Sequence, residues 1–150
     1  MSTPIRVLFL CTHNSARSQM AEGLLRAMGG GAYQAHSAGT LATSVRPEAM
    51  AAMSEIGIDI GAQSSKSLDR YLGAELDWLI TVCDDAREAC PTLPGVRRQL
   101  HWSIADPVVV EDPEKRAKAF QQVAAELQIR IRYLLLLPHP GTGERFTGGR

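Results

Sequence analysis

Charge of one sign is what this chain most plainly lacks. Sixteen Lys and Arg stand against sixteen Asp and Glu, for a formal net charge of zero. Binding to a phosphate backbone usually needs a basic surplus, so nucleic acid is not an expected partner. Long apolar runs are missing too. The stretch from Val7 to Cys11 ends at the polar Thr12-His13-Asn14, far short of a membrane span or a signal-peptide core, so the expected location is the cytoplasm with no membrane partner. Cysteine is scarce and odd in number: Cys11, Cys83 and Cys90. That excludes a secreted disulfide scaffold and points to thiols kept reduced. Neither a close cysteine pair nor a paired-histidine motif accompanies His13, His36, His101 and His139, so no metal site is expected.

Of the 150 residues, 45% are hydrophobic, enough for the core of one domain. Ile5 to Leu10 reads as a strand buried on both faces, and Met20, Ala21, Leu24, Leu25 and Met28 recur at helical spacing before Gly29-Gly30-Gly31. Tyr33 to Ala38 reads as a second strand and Pro47 opens a second helix running to Gly57. A short helical turn around Leu68 to Leu72 and strands at Trp78 to Val82 and Arg98 to Trp102 follow. Asp112-Pro113 then starts a long helix with an apolar stripe from Ala117 to Leu135, ending near Leu137. The alternation predicts a single three-layer α/β domain, residues 1–137, with a four-stranded parallel sheet and helices on both faces. Residues 138–150, with two prolines and four glycines, read as a flexible tail.

Ligands bind at the carboxyl ends of such strands, which sets Cys11 and Cys83 on one edge. Thr12, His13, Asn14, Ser15, Ala16, Arg17 and Ser18 follow Cys11 between the first strand and first helix, where backbone N–H groups can curl around an oxyanion. Those amides and the helix dipole would stabilise a Cys11 thiolate as a nucleophile. Arg17 offers a planar fork to a tetrahedral anion, and Ser18 could donate to the sulfur. A basic residue in a helix's first turn opposes the macrodipole, a cost that an anion would offset. Asp106-Pro107 lies in a segment read as loop, from which a carboxyl group could swing over the cradle as general acid. Asn14, Ser15 and Ser37 would shape the cradle by hydrogen bonds.

Cys11 to Arg17, followed by Ser18-Gln19-Met20-Ala21-Glu22-Gly23, resembles the thioredoxin-coupled arsenate reductases, which are built on the low-molecular-weight protein tyrosine phosphatase fold. His36-Ser37-Ala38-Gly39, Val82-Cys83-Asp84, Cys90-Pro91 and His101-Trp102 leading to Asp106-Pro107 extend the resemblance. It implies a relay. Cys11 attacks arsenate, Asp106 aids loss of water, Cys83 attacks the Cys11 sulfur to release arsenite, Cys90 attacks Cys83, and thioredoxin reduces the Cys83 to Cys90 disulfide. Phosphate and sulfate would be substrate analogues, no tightly bound cofactor is implied, and a monomer is expected. In some members Asn14, Glu22 and Ser37 help hold potassium with an acidic residue near Ser65. Here Lys66 stands where that acid is expected, which argues against potassium.

If Asp84 to Cys90 is helical, a rise of about 1.5 Å per residue sets Cys83 and Cys90 about 10 Å apart, too far for a disulfide. Unwinding on oxidation is then expected. The competing reading is a low-molecular-weight protein tyrosine phosphatase using Cys11, Arg17 and Asp106 on phosphomonoesters. Those phosphatases carry their Asp-Pro later, usually before an aromatic residue, whereas Val108 follows Pro107 here. A third reading, a non-enzymatic anion sensor or interaction module, leaves Cys83 and Cys90 without a role.

Overall fold

The computed structural model describes residues 3–84 and 93–138. Four strands, β1 (Ile5–Cys11), β2 (Tyr33–Gly39), β3 (Trp78–Thr81) and β4 (Arg98–His101), form one parallel sheet in the order β2-β1-β3-β4. Three α-helices, α1 (Arg17–Gly29), α2 (Pro47–Glu55) and α3 (Pro113–Leu136), accompany them. Strand alternation sorts the core into two layers. Val7, Phe9 and Cys11 pack with Met20 and Leu24 of α1, Met53 of α2, and Phe120, Leu127 and Ile131 of α3. Leu8, Leu10 and Leu79 pack on the other side with Tyr71, Leu76 and Leu93, under a 3-10 helix at Leu68–Tyr71.

Local chemistry sets the boundaries. Gly30 leaves α1 at φ +58°, a conformation that costs a residue with a Cβ. Proline stands at the start of α2 and α3, where its missing N–H has no intrahelical role. The Asp112 carboxylate accepts the Lys115 N–H at 2.9 Å and caps α3. These elements match the expected order.

In α1 every residue from Arg17 to Leu25 is buried, including the polar Ser18, Gln19 and Glu22 between the apolar positions. One local reading is corrected. The loop expected at Asp106-Pro107 is instead a 3-10 turn, Pro107–Val109, because the Asp106 side chain accepts the Val108 N–H at 3.0 Å and caps it. Cys90, the Asp84 to Cys90 helix beyond its first residue, and the tail beyond Pro138 lie outside the described residues. Among the described residues, no helix is long and apolar enough to cross a membrane.

The chain leaves β1 for β2 on one side and returns to β3 on the other. At such a switch point the loops above β1 and β3 diverge and leave a crevice beyond the strand ends. Cys11 ends β1 and Cys83 lies two residues beyond β3.

Candidate active site

The loop from Thr12 to Ala16 crosses that crevice, held from outside by its neighbours. Thr12 O accepts the Leu41 N–H at 2.9 Å, His13 O accepts the Ser65 hydroxyl at 3.1 Å, and Ser15 O accepts the Arg46 N–H at 2.9 Å. The carbonyls of Thr12, His13 and Ser15 are thus engaged by neighbouring segments, and Ala16, the residue before α1, has no side chain that could cap the first N–H groups of the helix. Gly39 lies directly against the loop. A Cβ there would meet Thr12 O at 2.6 Å and Asn14 N at 2.8 Å.

Asn14 adopts φ +52°, in the left-handed region that few residues other than glycine accept. Its side chain is fully buried and its orientation is fixed by two donors. The Lys66 N–H and the Gln19 amide both donate to Asn14 Oδ1 at 2.8 Å. Asn14 Nδ2 must therefore donate to Ser18 Oγ, 2.7 Å away. That bond leaves the Ser18 proton to point at Cys11 Sγ, 2.8 Å away. A directed chain runs from Lys66 through Asn14 and Ser18 to the sulfur, suited to supporting a thiolate.

Arg17 is 3% exposed; its Nη1 donates to Ile104 O at 2.9 Å, while Nη2 lies 3.6 Å from Asp106 Oδ2. Buried Ile104 and Trp102, the latter 6.0 Å from the Phe9 ring, hold this segment on the sheet. Cys11, His13, Ser15, Ala16, Arg17 and Asp106 thus line one small pit. Thr12, Asn14 and Ser18 are not among the residues that line it; Asn14 and Ser18 are fully buried and reach Cys11 through the bonds described above. Cys83 is fully buried, its thiol 3.9 Å from the carbonyl of Leu10, the residue before Cys11. A cysteine sulfur, a fixed guanidinium and a carboxyl group in one pit can bind a tetrahedral oxyanion and attack its centre, and a second thiol against the residue before Cys11 can then exchange with the attacking sulfur to form a disulfide.

Sequence reasoning missed the support behind the loop. Gln19, fully buried, donates to Asn14 O at 3.0 Å and Ser64 O at 2.9 Å, and receives the Gln63 amide at 2.8 Å. Polar residues flanking the helical stripe were the available signal. Glu22 Oε1 accepts from the Ser37 hydroxyl and lies 3.4 Å from Lys66 Nζ, while Glu22 Oε2 pairs with Arg26 at 2.5 Å. Nearby, burial holds the His36 imidazole below its ordinary range, with Arg6, Lys66 and Arg26 acting the same way against the opposing Glu22 charge. Burial, then the Glu22 charge, raises the Tyr71 phenol, whose oxygen is 3.4 Å from His36 Nδ1.

These residues do not fit potassium. Asn14 Oδ1 already accepts two N–H groups, and Glu22 Oε1 faces the Lys66 ammonium. Among the described residues, no three His, Cys, Asp or Glu side chains group as metal ligands.

The family model for low molecular weight phosphotyrosine protein phosphatase matches residues 6–139. An arsenate reductase of Halalkalibacterium halodurans is 42% identical over 84% of this chain and 91% of its own length. Among solved structures, an arsenate reductase in the phosphate binding state superposes with a TM-score of 0.74 at 30% identity, covering 88% of this chain and 97% of the other. A thioredoxin-dependent arsenate reductase of Corynebacterium glutamicum superposes with a TM-score of 0.66 at 31% identity, over 91% of this chain and 63% of that one.

Proposed function

The chain belongs to the low molecular weight phosphotyrosine protein phosphatase family, among its arsenate reductases, and from that membership we propose a three-thiol reduction of arsenate coupled to thioredoxin. The observation that carries the proposal is the single pit lined by Cys11, Arg17 and Asp106, with the buried Cys83 thiol 3.9 Å from the carbonyl of Leu10, the residue before Cys11.

Arsenate enters the cradle of Thr12 to Ser18, its oxygens taken by the loop N–H groups and the Arg17 fork. The Cys11 thiolate attacks arsenic. A hydroxyl group leaves as water with a proton from Asp106, and a Cys11 sulfur–arsenic bond forms. The Cys83 thiolate then attacks Cys11 Sγ. The sulfur–arsenic bond breaks with its electron pair going to arsenic, so arsenic(V) leaves as arsenite and a Cys11 to Cys83 disulfide remains. Cys90 attacks Cys83, returns the Cys11 thiolate and leaves a Cys83 to Cys90 disulfide, which a thioredoxin dithiol reduces in the cytoplasm.

The assay follows arsenite formation with thioredoxin, thioredoxin reductase and NADPH, beside hydrolysis of a phosphomonoester. Arsenite formed in proportion to NADPH consumed is the expected result. Phosphatase turnover without arsenite would replace this reading with the phosphatase one.

A further inference from the structure

We infer that Lys66 is an internal cation of this protein and a positioning residue for the Cys11 thiol. Burying an ammonium group is costly unless it is paired and hydrogen-bonded. Lys66 is 8% exposed, and its Nζ lies 3.4 Å from Glu22 Oε1 and donates to Ser64 O at 2.7 Å. Glu22 Oε1 also receives the Ser37 hydroxyl. The ammonium therefore sits among oxygens contributed by α1 and by the segment leading to Lys66 itself. These are the kinds of ligand a monovalent cation would take, and a charge built into the chain neutralises them instead.

The backbone of the same residue reaches the site. Its N–H holds Asn14 Oδ1 at 2.8 Å and its carbonyl accepts the Gly39 N–H at 2.9 Å. Asn14 stands at φ +52°, a left-handed conformation that asparagine adopts more readily than most residues with a Cβ, and the hold from Lys66 fixes where its amide points. The donor chain from Lys66 through Asn14 and Ser18 to Cys11 begins at a residue whose side chain is fastened to α1. Removing the ammonium leaves Glu22 Oε1 uncompensated on that side and loosens the segment that orients Asn14. The fault then appears at the thiol, although Lys66 touches neither the sulfur nor the pit.

The test compares the native protein with Lys66→Gln in potassium chloride and choline chloride at equal ionic strength. It reads melting temperature, the alkylation rate of Cys11 by iodoacetamide, and KM and kcat for arsenate. The native protein is expected to melt at the same temperature in both salts. Lys66→Gln is expected to melt about 6 °C lower or more, in line with a broken buried pair in a domain of this size. Its Cys11 should be alkylated more slowly and its KM should rise more than its kcat falls, with potassium but not choline restoring part of the loss. A native melting temperature raised by potassium over choline overturns the internal-cation assignment, as does a variant that both salts leave equally impaired. A variant with native alkylation rate and KM overturns the positioning role. Should Lys66→Gln fail to fold, the native comparison still decides. The KM readout rests on the arsenate reductase reading; melting and alkylation do not, so failure of one is distinguishable from failure of the other.

Discussion

Asn14 Nδ2 donates to Ser18 Oγ across 2.7 Å, and the direction of this bond sets the direction of the next, from Ser18 to the Cys11 sulfur. Hydrogen bonds to a charged acceptor contribute about 1.5–3 kcal/mol. Ser18→Ala, which removes the donor without adding volume, should slow alkylation of Cys11 at neutral pH by about tenfold or more. Ser18→Thr keeps the hydroxyl and should restore much of the rate. Equal rates in Ser18→Ala and native protein, followed by mass spectrometry, would remove Ser18 from thiolate support.

Arg17 and Cys11 should separate binding from chemistry. Cys11→Ser is expected to yield no arsenite, since the weaker oxygen nucleophile cannot form the sulfur–arsenic bond. Arg17→Lys keeps a positive charge but loses the fork that spans Ile104 O and the rim of the pit. Its KM for arsenate should rise about tenfold or more, the cost of one charge-assisted hydrogen bond. Steady-state kinetics with arsenate decide both.

Asp106→Asn isolates proton donation. An asparagine oxygen can still accept the Val108 N–H and cap the 3-10 turn, so the melting temperature should change little. The amide cannot supply a carboxyl proton. Single-turnover formation of the Cys11 adduct should therefore slow by about 10²-fold or more, the usual scale of general acid catalysis. An unchanged single-turnover rate would take Asp106 out of the acid role.

The elements that carry this site were legible because each has a local cause. Buried β-branched and aromatic residues announce β1, proline opens α2 and α3, and Asp112 caps α3. Cys11 and Arg17 stood out as candidates because a cation in the first turn of a helix after a strand-end thiol has a cost that anion binding would offset. Gln19 did not, and Glu22 and Lys66 entered only through the family's potassium site. Periodicity along α1 assigns Gln19 and Glu22 to solvent, and the charge of Lys66 in a loop assigns it there too, whereas all three are buried by segments distant in sequence, through Gln63, Ser37 and the Lys66 ion pair. Such long-range polar pairing leaves no periodic trace. Asp106 lines the pit beside Arg17, and its capping bond depends on a turn that composition alone did not reveal.

His36 gives the stability a pH dependence with a definite sign. Its imidazole is held below the ordinary 6.5, foremost by burial, then by Arg6, Lys66 and Arg26 against the opposing Glu22 charge. As pH falls below 6.5 the unfolded chain takes up this proton while the folded chain does not, so stability present above 6.5 is lost down to the depressed folded value. The native melting temperature should decline as pH drops from 7 into this window, and His36→Gln should flatten that part of the curve. A curve equally steep in the variant would assign the dependence to other groups.

Gly39 ties β2 to the cradle, and its replacement tests whether the loop's shape is what binds the anion. At Gly39→Ala the new methyl would lie 2.6 Å from Thr12 O, 2.8 Å from Asn14 N and 2.9 Å from His13 C, all of them backbone atoms. No side chain can rotate away to make room, so the loop itself must move. Overpacking of this kind typically costs about 1–3 kcal/mol. Displacing the loop also shifts the Asn14 N–H and strains the hold of Lys66 on Asn14, because Gly39 N is bonded to Lys66 O. Gly39→Ala is therefore expected to melt several degrees lower, on the order of 2–4 °C for each kcal/mol lost. It should also raise the KM for arsenate and slow Cys11 alkylation together, since in the proposed mechanism one loop carries both anion and thiol. A variant that melts lower but keeps native KM and alkylation rate would show that the loop tolerates the shift, and that close packing at Gly39 serves stability alone.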